Sequence, residues 1–491
     1  MSGHIALEQQ WSISQFNMAQ LNDQRLTDRL IKLASAMASD PQGSIPRQNG
    51  DWAGTKAAYR FFDHPRVTFE SVSQPHWQQT RIAAGDCGIT LMIQDSTWIS
   101  LSDHRRTVGA GRFGNPNTKR GGLGLMLHSV LAVAPQADAS GNGARGNLTG
   151  GRVLGIAHAK IWARSDEVIS KSNQHNTRRS SDDSESLRWG QALQQIGAPP
   201  PGRKFIHVGD RESDIFDLFD QAMNLPGCGF VIRLMHSRNA SEGHHPETLT
   251  SSKRPRTSLK EVCRKMPAIG TMQHWIQPRG GVTGRWVTLH VAGAPVTVYS
   301  PWFGRGGSRT ARPLLCWAVR VWEENPRPGT QALEWLLLTS EPVRSADDAL
   351  RISRYYSFRW MIEEYHRCLK SGCKVQERQL EDAARLEPFI GIATAVAARL
   401  LQLKNDARLS PDQPASQCID PDLLQTLAKL TKTDPKTLTT RGLIHAVAKM
   451  GGFLGRKGDG EPGWKTLWSG WQKLNLIHHG YQLAKNVARC G

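Results

Sequence analysis

The stretch GITLMIQD, residues 88–95, is a short apolar run that ends in an aspartate, Asp95. The stretch KFIHVGD, residues 204–210, repeats this pattern and ends in Asp210. Runs of this length and composition are typical of buried β-strands, and LGLMLHSVLAVAP (123–135) is apolar enough for the centre of a sheet. Because sites in α/β sheets gather where strands end, the two aspartates are predicted to converge.

The segments around these runs complete an α/β pattern. TWISL (97–101) is a possible hairpin partner of the first strand, and ADASGNGARGNLTGG (137–151) has the composition of a loop. After Asp210, DIFDLFDQAM has a helical pattern and CGFVIRL that of a further strand. Residues from about 235 to 345 combine basic, Pro/Gly-rich loops with alternating runs that suit strands. We therefore expect a mixed α/β sheet that is interrupted late by a β-rich insertion.

The stretch YYSFRWMIEEYHRCLKSG, residues 355–372, follows the insertion. If it is one helix, four side chains fall within an arc of about 60°. These are Tyr356, Arg359, Glu363 and Lys370. The neighbouring Trp360, Ile362 and Leu369 provide apolar surface with which the helix is predicted to dock.

Three carboxylates are candidates for a shared site: Asp95, Asp210 and Glu363. Oxygen ligands of this kind are preferred by hard divalent cations. Two Mg²⁺ ions about 4 Å apart stabilise both the attacking and the leaving oxygen in phosphoryl transfer. Taken singly, each acid is more simply explained as a cap or turn residue, so the hypothesis depends on all three together.

The chain of 491 residues carries a net charge of +19 and has a sequence pI of about 9.8. Such an excess favours a polyanionic partner, with nucleic acid ahead of a membrane surface, over a basic protein without one. Residues 21–37 predict an amphipathic helix capped by Asn22 or Asp23. Its leucine stripe adjoins a basic face, and KAAYRFF adds further cations. The cations are Arg25, Arg29, Lys32, Lys56 and Arg60. Phosphate contact and a merely solvated face both remain open for them.

The cysteines and apolar runs bear on the compartment. Eight cysteines include no CxxC pair, and the amino terminus lacks a basic segment followed by an apolar one. The run GIATAVAARLLQL (391–403) is short and contains Arg399, so no membrane span is expected. Reduced thiols in a bacterial type of cytoplasm are the simplest expectation.

The spacing of Tyr356, Arg359, Glu363 and Lys370 resembles the Y-x2-R-x3-E-x6-K signature of bacterial DDE transposases of the IS-four family. The contexts IQDST, DRESDIFD and WLLLTSEP are also similar, as are the amino-terminal D-x-R-x3-R helix and the carboxyl-terminal GGFLGRKGDGEPGWKTLWSGW. The resemblance covers nearly the full chain. It implies an RNase H-like core in 71–407, with the insertion at about 235–345, between a helical DNA-end-binding domain (1–70) and a helical dimerisation domain (408–491).

The resemblance also implies roles for individual residues. Asp95, Asp210 and Glu363 would be catalytic and would bind two Mg²⁺ ions, for which Mn²⁺ would substitute. A second group would contact DNA: Tyr356, Arg359, Lys370, Trp335, Arg233, Arg25, Arg29 and Lys56. Trp335 would stack on a flipped base, whereas its place at the start of an apolar strand by itself predicts core packing.

The function that this resemblance implies is cut-and-paste transposition: end cleavage, hairpin formation and strand transfer. The partners would be double-stranded inverted-repeat ends, target DNA and a second copy of the chain, in the bacterial cytoplasm and at the nucleoid. The alternatives are a cleavage-dead regulator that binds transposon ends and a structure-selective nuclease. Two departures, Leu26 in place of a second arginine and the long 137–151 loop, leave the recognised end sequence open. The tryptophan stripe Trp464, Trp468 and Trp471 predicts core packing, or a dimer interface.

Overall fold

The computed structural model describes residues 7–101, 107–113, 122–136, 150–164, 185–246, 257–276, 284–300, 312–327, 329–330, 332–456 and 459–490. Most of the predicted loop at 137–151 lies outside the described residues, so that expectation stays a prediction.

A mixed β-sheet forms the centre of the fold. Its first six strands are β1 Ile89–Ser100, β2 Gly111–Phe113, β3 Gly122–Pro135, β4 Gly151–Trp162, β5 Lys204–Gly209 and β6 Cys228–Arg233. Strand β1 pairs antiparallel with β3 and parallel with β5, which in turn pairs parallel with β6. Strand β4 pairs antiparallel with the other edge of β3. The resulting order β4-β3-β1-β5-β6 confirms the expected RNase H-like core.

The predicted β-rich segment extends the same sheet. It comprises β7 Ala240–Glu242, helix α8 Leu259–Lys265, β8 Gly270–Ile276, β9 Arg285–Val298, β10 Leu314–Glu323 and β11 Glu334–Thr339. Strand β11 pairs antiparallel with β6, and β10 and β9 follow in order. The last strand of the segment therefore lies directly beside the RNase H-like strands.

One strand expectation was wrong, and one strand was missed. Residues 97–101 do not turn back as a hairpin; the strand runs on through Ser100, and its pairing with β3 continues from Leu91↔Val133 to Ser100↔Gly124. Strand β4 was not foreseen, although it follows the predicted loop at once. Long antiparallel pairing with β3 makes one continuous strand of β1, which no local pattern shows.

Five helices form the amino-terminal part: α1 Leu7–Phe16, α2 Gln24–Ser39, α3 Ile45–Asn49, α4 Trp52–Phe62 and α5 Phe69–Gly85. The predicted helix α2 is confirmed, and it begins after Asp23, whose carboxylate accepts a hydrogen bond from the Arg25 backbone N–H at 2.9 Å. Leu30, Leu33 and Met37 are buried, as the stripe predicts.

The remaining helices of the described residues are α6 Arg188–Ile196, α7 Phe216–Asn224, α9 Ala346–Ser357, α10 Trp360–Arg367, α11 Ala383–Leu409, α12 Pro421–Thr431, α13 Thr440–Met450 and α14 Trp464–Cys490. Helix α11 has 27 residues and a mean hydropathy of 1.3 over its most apolar window, enough by length and composition to cross a membrane. The expectation that no run approaches that length was therefore wrong. Since 78% of that window is buried inside the protein, α11 has the character of a core helix.

The amino-terminal helices are fastened to the core by a buried arginine. The Arg378 guanidinium donates hydrogen bonds to the backbone carbonyls of Pro41, Gly43 and Cys373 and lies over the Phe389 ring. Three carbonyl acceptors compensate for the burial of this charge. The loop after α2 is thereby held against the segment that follows α10.

Acid is expected to destabilise the fold through buried, neutral histidines. Burial lowers the pKa of His76 and His158 to about 4, that of His207 and His366 to about 3, and that of His128 well below its ordinary 6.5. Below pH 6.5 the unfolded chain therefore binds more protons than the folded one, and each histidine removes up to about 1.4 kcal/mol of stability per pH unit.

The midpoint temperature of thermal unfolding should accordingly decrease as the pH is lowered from about 7 to about 5.5. Asp95 acts the other way, because its native pKa of about 7 favours the folded state once it is protonated, but it is one group against several. Thermal unfolding in buffers of equal ionic strength measures the balance. A midpoint that rises over this interval would contradict the assignment of these histidines as neutral.

Candidate active site

The parallel pairing of β1 and β5 places two aspartates side by side. Ile93 lies opposite Val208, so the residues two positions further on, Asp95 and Asp210, fall at the same level. Adjacent strands lie about 4.8 Å apart, and alternate residues share a face. Both aspartates therefore point to the same side of the sheet, as the sequence predicted.

The carboxylate of each aspartate is oriented by a nearby backbone amide. Asp95 Oδ1 accepts a hydrogen bond from the Ser96 N–H at 2.8 Å. Asp210 Oδ1 accepts one from the Glu212 N–H at 2.9 Å, at the start of a short 3₁₀ turn that follows β5. These bonds hold one oxygen of each carboxylate and fix its direction.

Burial and neighbouring negative charge raise the pKa of Asp95 to about 7. Burial is the largest cause, the carboxylate of Asp210 is the next that raises it, and Glu363 adds to the effect. The Ser96 N–H and the Arg359 guanidinium act in the opposite direction. The three predicted carboxylates thus share one electrostatic environment.

The segment 355–372 is not the single regular helix that was expected. Helix α9 ends at Ser357, and the hydrogen bonds from the N–H of Arg359, Met361 and Ile362 each reach back only three residues. Helix α10 starts at Trp360, and a π-helical turn covers Cys368–Gly372. The tightened and then widened turns rotate the side chains away from ideal α-helical positions.

Helix geometry separates Trp360 from the other apolar side chains, because residues two positions apart lie about 200° apart around the axis. Ile362 and Leu369 are fully buried, as expected. Trp360 is 55% exposed, so the prediction that it docks with the other two was wrong. It stands at the start of α10, beside Arg359.

Arg359 and Glu363 form an ion pair across one turn of α10. Arg359 Nη2 lies 2.5 Å from Glu363 Oε1. Burial lowers the pKa of Arg359, but Tyr356, Glu363 and Asp95 together raise it overall. The guanidinium is therefore a fixed positive charge that pairs with Glu363 and acts on Asp95.

Lys370 and His366 also face Asp95. Burial lowers the pKa of Lys370, and the carboxylate of Asp95 opposes this effect. His366 Nδ1 lies 4.0 Å from Asp95 Oδ2, and the ring is buried and neutral. The sequence reasoning missed His366. Its position, three residues after Glu363 and so on the same helix face, is the signal that would have found it.

Trp335 at the start of β11 lies among aromatic rings. Its ring centroid is 5.4 Å from that of Tyr356 and 5.8 Å from that of His274, both edge-to-face. Tyr356 is buried, whereas Trp335 is only partly so. Arg233 Nη2 donates to the Glu334 carbonyl at 2.9 Å, which places Arg233 next to Trp335. The structure therefore brings Tyr356, Trp335 and Arg233 together beside Arg359.

The predicted amino-terminal contacts lie on the outer surfaces of α2 and α4. Arg25 and Lys56 are exposed, and Arg29 is half-buried. A shallow groove of about 300 Å³ runs along α4. Its lining includes Trp52, Lys56, Tyr59, Arg60, Asp63 and Arg385. Trp52 is 79% exposed, so this face combines cations with an accessible aromatic ring.

The donor set suits divalent cations in chemical type. Among the described residues, no group of three or more His, Cys, Asp or Glu side chains is close enough to hold a metal ion as it stands. Glu363 is paired with Arg359, whose Nη2 lies 2.5 Å from Glu363 Oε1. Carboxylate oxygens that repel one another in a buried site are the ligands that Mg²⁺ and Mn²⁺ prefer. The three residues therefore fit such ions.

The carboxyl-terminal helix α14 packs against this part of the core. Trp464 stacks on Trp468 with centroids 4.7 Å apart, and Lys404 Nζ lies 4.2 Å from the Trp464 ring. A Cβ at Gly372 would come within 2.7 Å of the Trp468 ring, so the glycine allows the close approach. The core reading of Trp464 is confirmed, and Leu476, Ile477 and Tyr481 further along α14 remain exposed.

Asp210→Asn is expected to lower the pKa of Asp95, because the substitution removes the neighbouring negative charge that helps to raise it. Part of the elevation should remain, since burial is unchanged. Infrared difference titration of the carboxyl band, with Asp95→Asn to assign it, measures the shift. Asp217→Asn on α7 serves as the control, and an Asp95 titration that is the same in Asp210→Asn and the parent would show that the two carboxylates do not interact.

Comparison with known families adds independent information at both ends of the chain. Residues 8–67 match the family described as transposase DNA-binding, and residues 395–491 match the Tn5 transposase dimerisation domain. The first match contains α2 and α4 with their cations, and the second contains α12, α13 and α14. With these two segments on either side of an RNase H-like core, the matches support a Tn5-like transposase, and placement in the IS-four family is consistent with them.

Proposed function

We propose that this transposase cuts DNA at the ends of its own element and joins those ends to target DNA, with Asp95, Asp210 and Glu363 as the catalytic carboxylates. The observation that carries the proposal is the environment of Asp95. Its pKa is raised by burial and by the charges of Asp210 and Glu363, which arrive from two other elements. Convergence of this kind in a buried place is typical of functional sites.

Asp95, Asp210 and Glu363 would hold two Mg²⁺ ions, for which Mn²⁺ would substitute. When bound, such ions stabilise the charge that develops on the attacking and leaving oxygens of a phosphodiester. The backbone N–H groups of Ser96 and Glu212 orient the two aspartates by each holding one oxygen, which leaves the other oxygen of each carboxylate available.

Arg359 and Lys370 would bind the phosphates on either side of the scissile bond. Both are partly or largely buried cations within the electrostatic reach of Asp95. A guanidinium binds two phosphate oxygens at once, and in a site with little water these contacts are strong. Tyr356 would add a phosphate contact at the edge of the same site, where its ring supports Trp335.

The steps that we propose are end nicking, hairpin formation, hairpin opening and strand transfer. Each is a phosphoryl transfer, so one set of positioning residues serves them all. A hairpin requires the strand to bend sharply, and a displaced base needs a surface on which to stack. The partly exposed ring of Trp335, with Arg233 beside it, suits that role.

The partners would be double-stranded inverted-repeat ends, target DNA and a second copy of the chain in the bacterial cytoplasm, at the nucleoid. The net charge of +19 and the cationic faces of α2 and α4 support contact with DNA phosphates. The exposed apolar side chains of α14 lie in the segment that matches a dimerisation domain.

One observation favours a second candidate, a regulator that binds transposon ends without cutting them. Glu363 Oε1 lies 2.5 Å from Arg359 Nη2, so in this conformation one of its oxygens is engaged in an ion pair. For the enzyme, the arginine would have to exchange Glu363 for phosphate when DNA binds. For the regulator, the ion pair would persist.

Cleavage is expected to require Asp95, Glu363 and a divalent ion. Labelled DNA that carries the inverted repeats of the protein's own element should be nicked and converted to hairpins with Mg²⁺ or Mn²⁺ and not in EDTA. Asp95→Ala and Glu363→Ala should lower the rate by at least about a thousandfold, since each removes a carboxylate with no substitute.

Glu364→Gln provides a matched control on the same helix. Glu364 faces Lys404, with Oε1 3.6 Å from Nζ, and not the aspartates, so its variant should keep cleavage. Retention of end cleavage in Glu363→Ala would refute the proposed carboxylate set. Specific end binding by the parent protein, without cleavage at any metal concentration, would favour the regulator.

Charge removal on α2 and α4 should weaken binding to DNA ends in a salt-dependent way. Arg29→Ala and Lys56→Ala are each expected to reduce the slope of log K against log salt by about 1, because each phosphate contact releases condensed counterions. Equilibrium binding at several salt concentrations measures the slope. Arg203→Ala is the control, because Arg203 is exposed just before β5, at the strand end opposite Asp210. Equal slopes in all three variants would exclude these phosphate contacts.

A further inference from the structure

The reverse face of the active-site strands carries a buried polar cluster that the catalytic proposal does not use. Residues of β1 alternate between the two faces, so Gln94 and Ser96 point away from Asp95. On that reverse face, helix α6 brings Arg188 and Trp189 against β1 and β3. The cluster extends across three strands through hydrogen bonds between buried side chains.

Arg188 connects the two aspartate-bearing segments. Its Nε donates to Ser96 Oγ at 2.8 Å, and its Nη2 lies 3.0 Å from Glu212 Oε2. The Arg188 side chain is only 11% exposed. One planar guanidinium therefore joins the residue after Asp95 to the residue two positions after Asp210.

Ser96 and Glu212 are also the residues whose backbone N–H groups hold the catalytic carboxylates. The Ser96 N–H donates to Asp95 and the Glu212 N–H to Asp210. A side-chain contact that fixes Ser96 and Glu212 thus fixes both amide donors at once. The position of each aspartate depends on the same arginine through one intervening residue.

The partners of Ser96 determine which groups donate and which accept in this hydrogen-bond network. His128 Nε2 lies 3.1 Å from Gln94 Oε1, which only accepts, so His128 Nε2 carries the proton and Nδ1 is an acceptor. The Ser96 hydroxyl, 2.9 Å from His128 Nδ1, donates to it and accepts from Arg188. Gln94 Nε2 in turn donates to His207 Nδ1 at 2.8 Å. Burial and the charge of Arg188 lower the pKa of His128, which keeps that ring neutral, as the chain of bonds requires.

We propose that Arg188 is a positioning residue that sets the separation and direction of Asp95 and Asp210 from the opposite face of the sheet. This inference rests on the proposed function, because it assigns Arg188 to the support of the metal-binding carboxylates. Residues behind metal ligands typically change metal affinity or activity 10- to 100-fold when they are removed. Arg188 supports both aspartates together.

The test compares Arg188→Ala and Arg188→Lys with the parent protein by hydrogen exchange and by metal dependence of cleavage. Arg188→Ala should increase amide exchange in peptides that cover 94–97 and 209–213, with the remaining core unchanged. It should also raise the Mg²⁺ concentration for half-maximal cleavage about 10- to 100-fold, with a smaller loss of rate at saturating Mg²⁺. Lysine has a single ammonium group in place of the planar guanidinium that contacts Ser96 and Glu212 together. Arg188→Lys should therefore recover only part of the affinity for Mg²⁺.

Arg81→Ala is the matched control, since Arg81 also contacts α6, through the Gln195 carbonyl at 2.8 Å, but not the aspartate segments. It should leave both readouts unchanged. Parent-like exchange in the two segments, or a parent-like Mg²⁺ dependence, in Arg188→Ala would overturn the proposal. So would a uniform rise in exchange throughout the core, which indicates a general loss of stability.

If Arg188→Ala does not fold, Glu212→Gln removes the charged partner and retains an acceptor. It should raise the half-maximal Mg²⁺ concentration by less than Arg188→Lys does, and an unchanged value would again count against the proposal. A parent protein that does not cleave, or an Asp95→Ala variant that does, refutes the proposed function instead. In that case the exchange measurement still decides whether Arg188 fixes the two segments.

Discussion

The structure depends on the parallel register between β1 and β5. That register sets Ile93 against Val208 and so brings two aspartates to adjacent positions on one face of the sheet. Burial, and after it the neighbouring carboxylate of Asp210, raise the pKa of Asp95 to about 7. A slip of β1 by one residue would exchange the side chains on its two faces and turn Asp95 away from Asp210.

The segment from 355 to 372 places two cations within electrostatic reach of Asp95. Arg359 and Lys370 are cations whose pKa values are affected by Asp95, and Arg359 also pairs with Glu363. The three-residue hydrogen bonds near Arg359 and the π-helical turn at Lys370 bring both side chains to the aspartates.

Both ends of the chain reach this segment. The amino-terminal helices are held to it through Arg378, whose guanidinium bonds the carbonyls of Pro41, Gly43 and Cys373. The carboxyl-terminal helix lies against it through Trp468 and Gly372. The DNA-binding and dimerisation segments therefore touch the chain immediately after Lys370.

Local patterns in the sequence were enough for the apolar runs that end in Asp95 and Asp210, for α2 with its Asp23 cap, and for the spacing of Glu363 with its basic neighbours. These depend on residues close together in the chain, where propensity and periodicity act. Strand β4 and the uninterrupted course of β1 were not predictable in this way. They depend on strand pairing and on packing between distant segments. The link from Arg188 to Ser96 and Glu212 depends on such packing too. Arg188 lies 92 positions from Ser96 and 24 positions from Glu212, and the three residues meet only when α6 packs on the sheet.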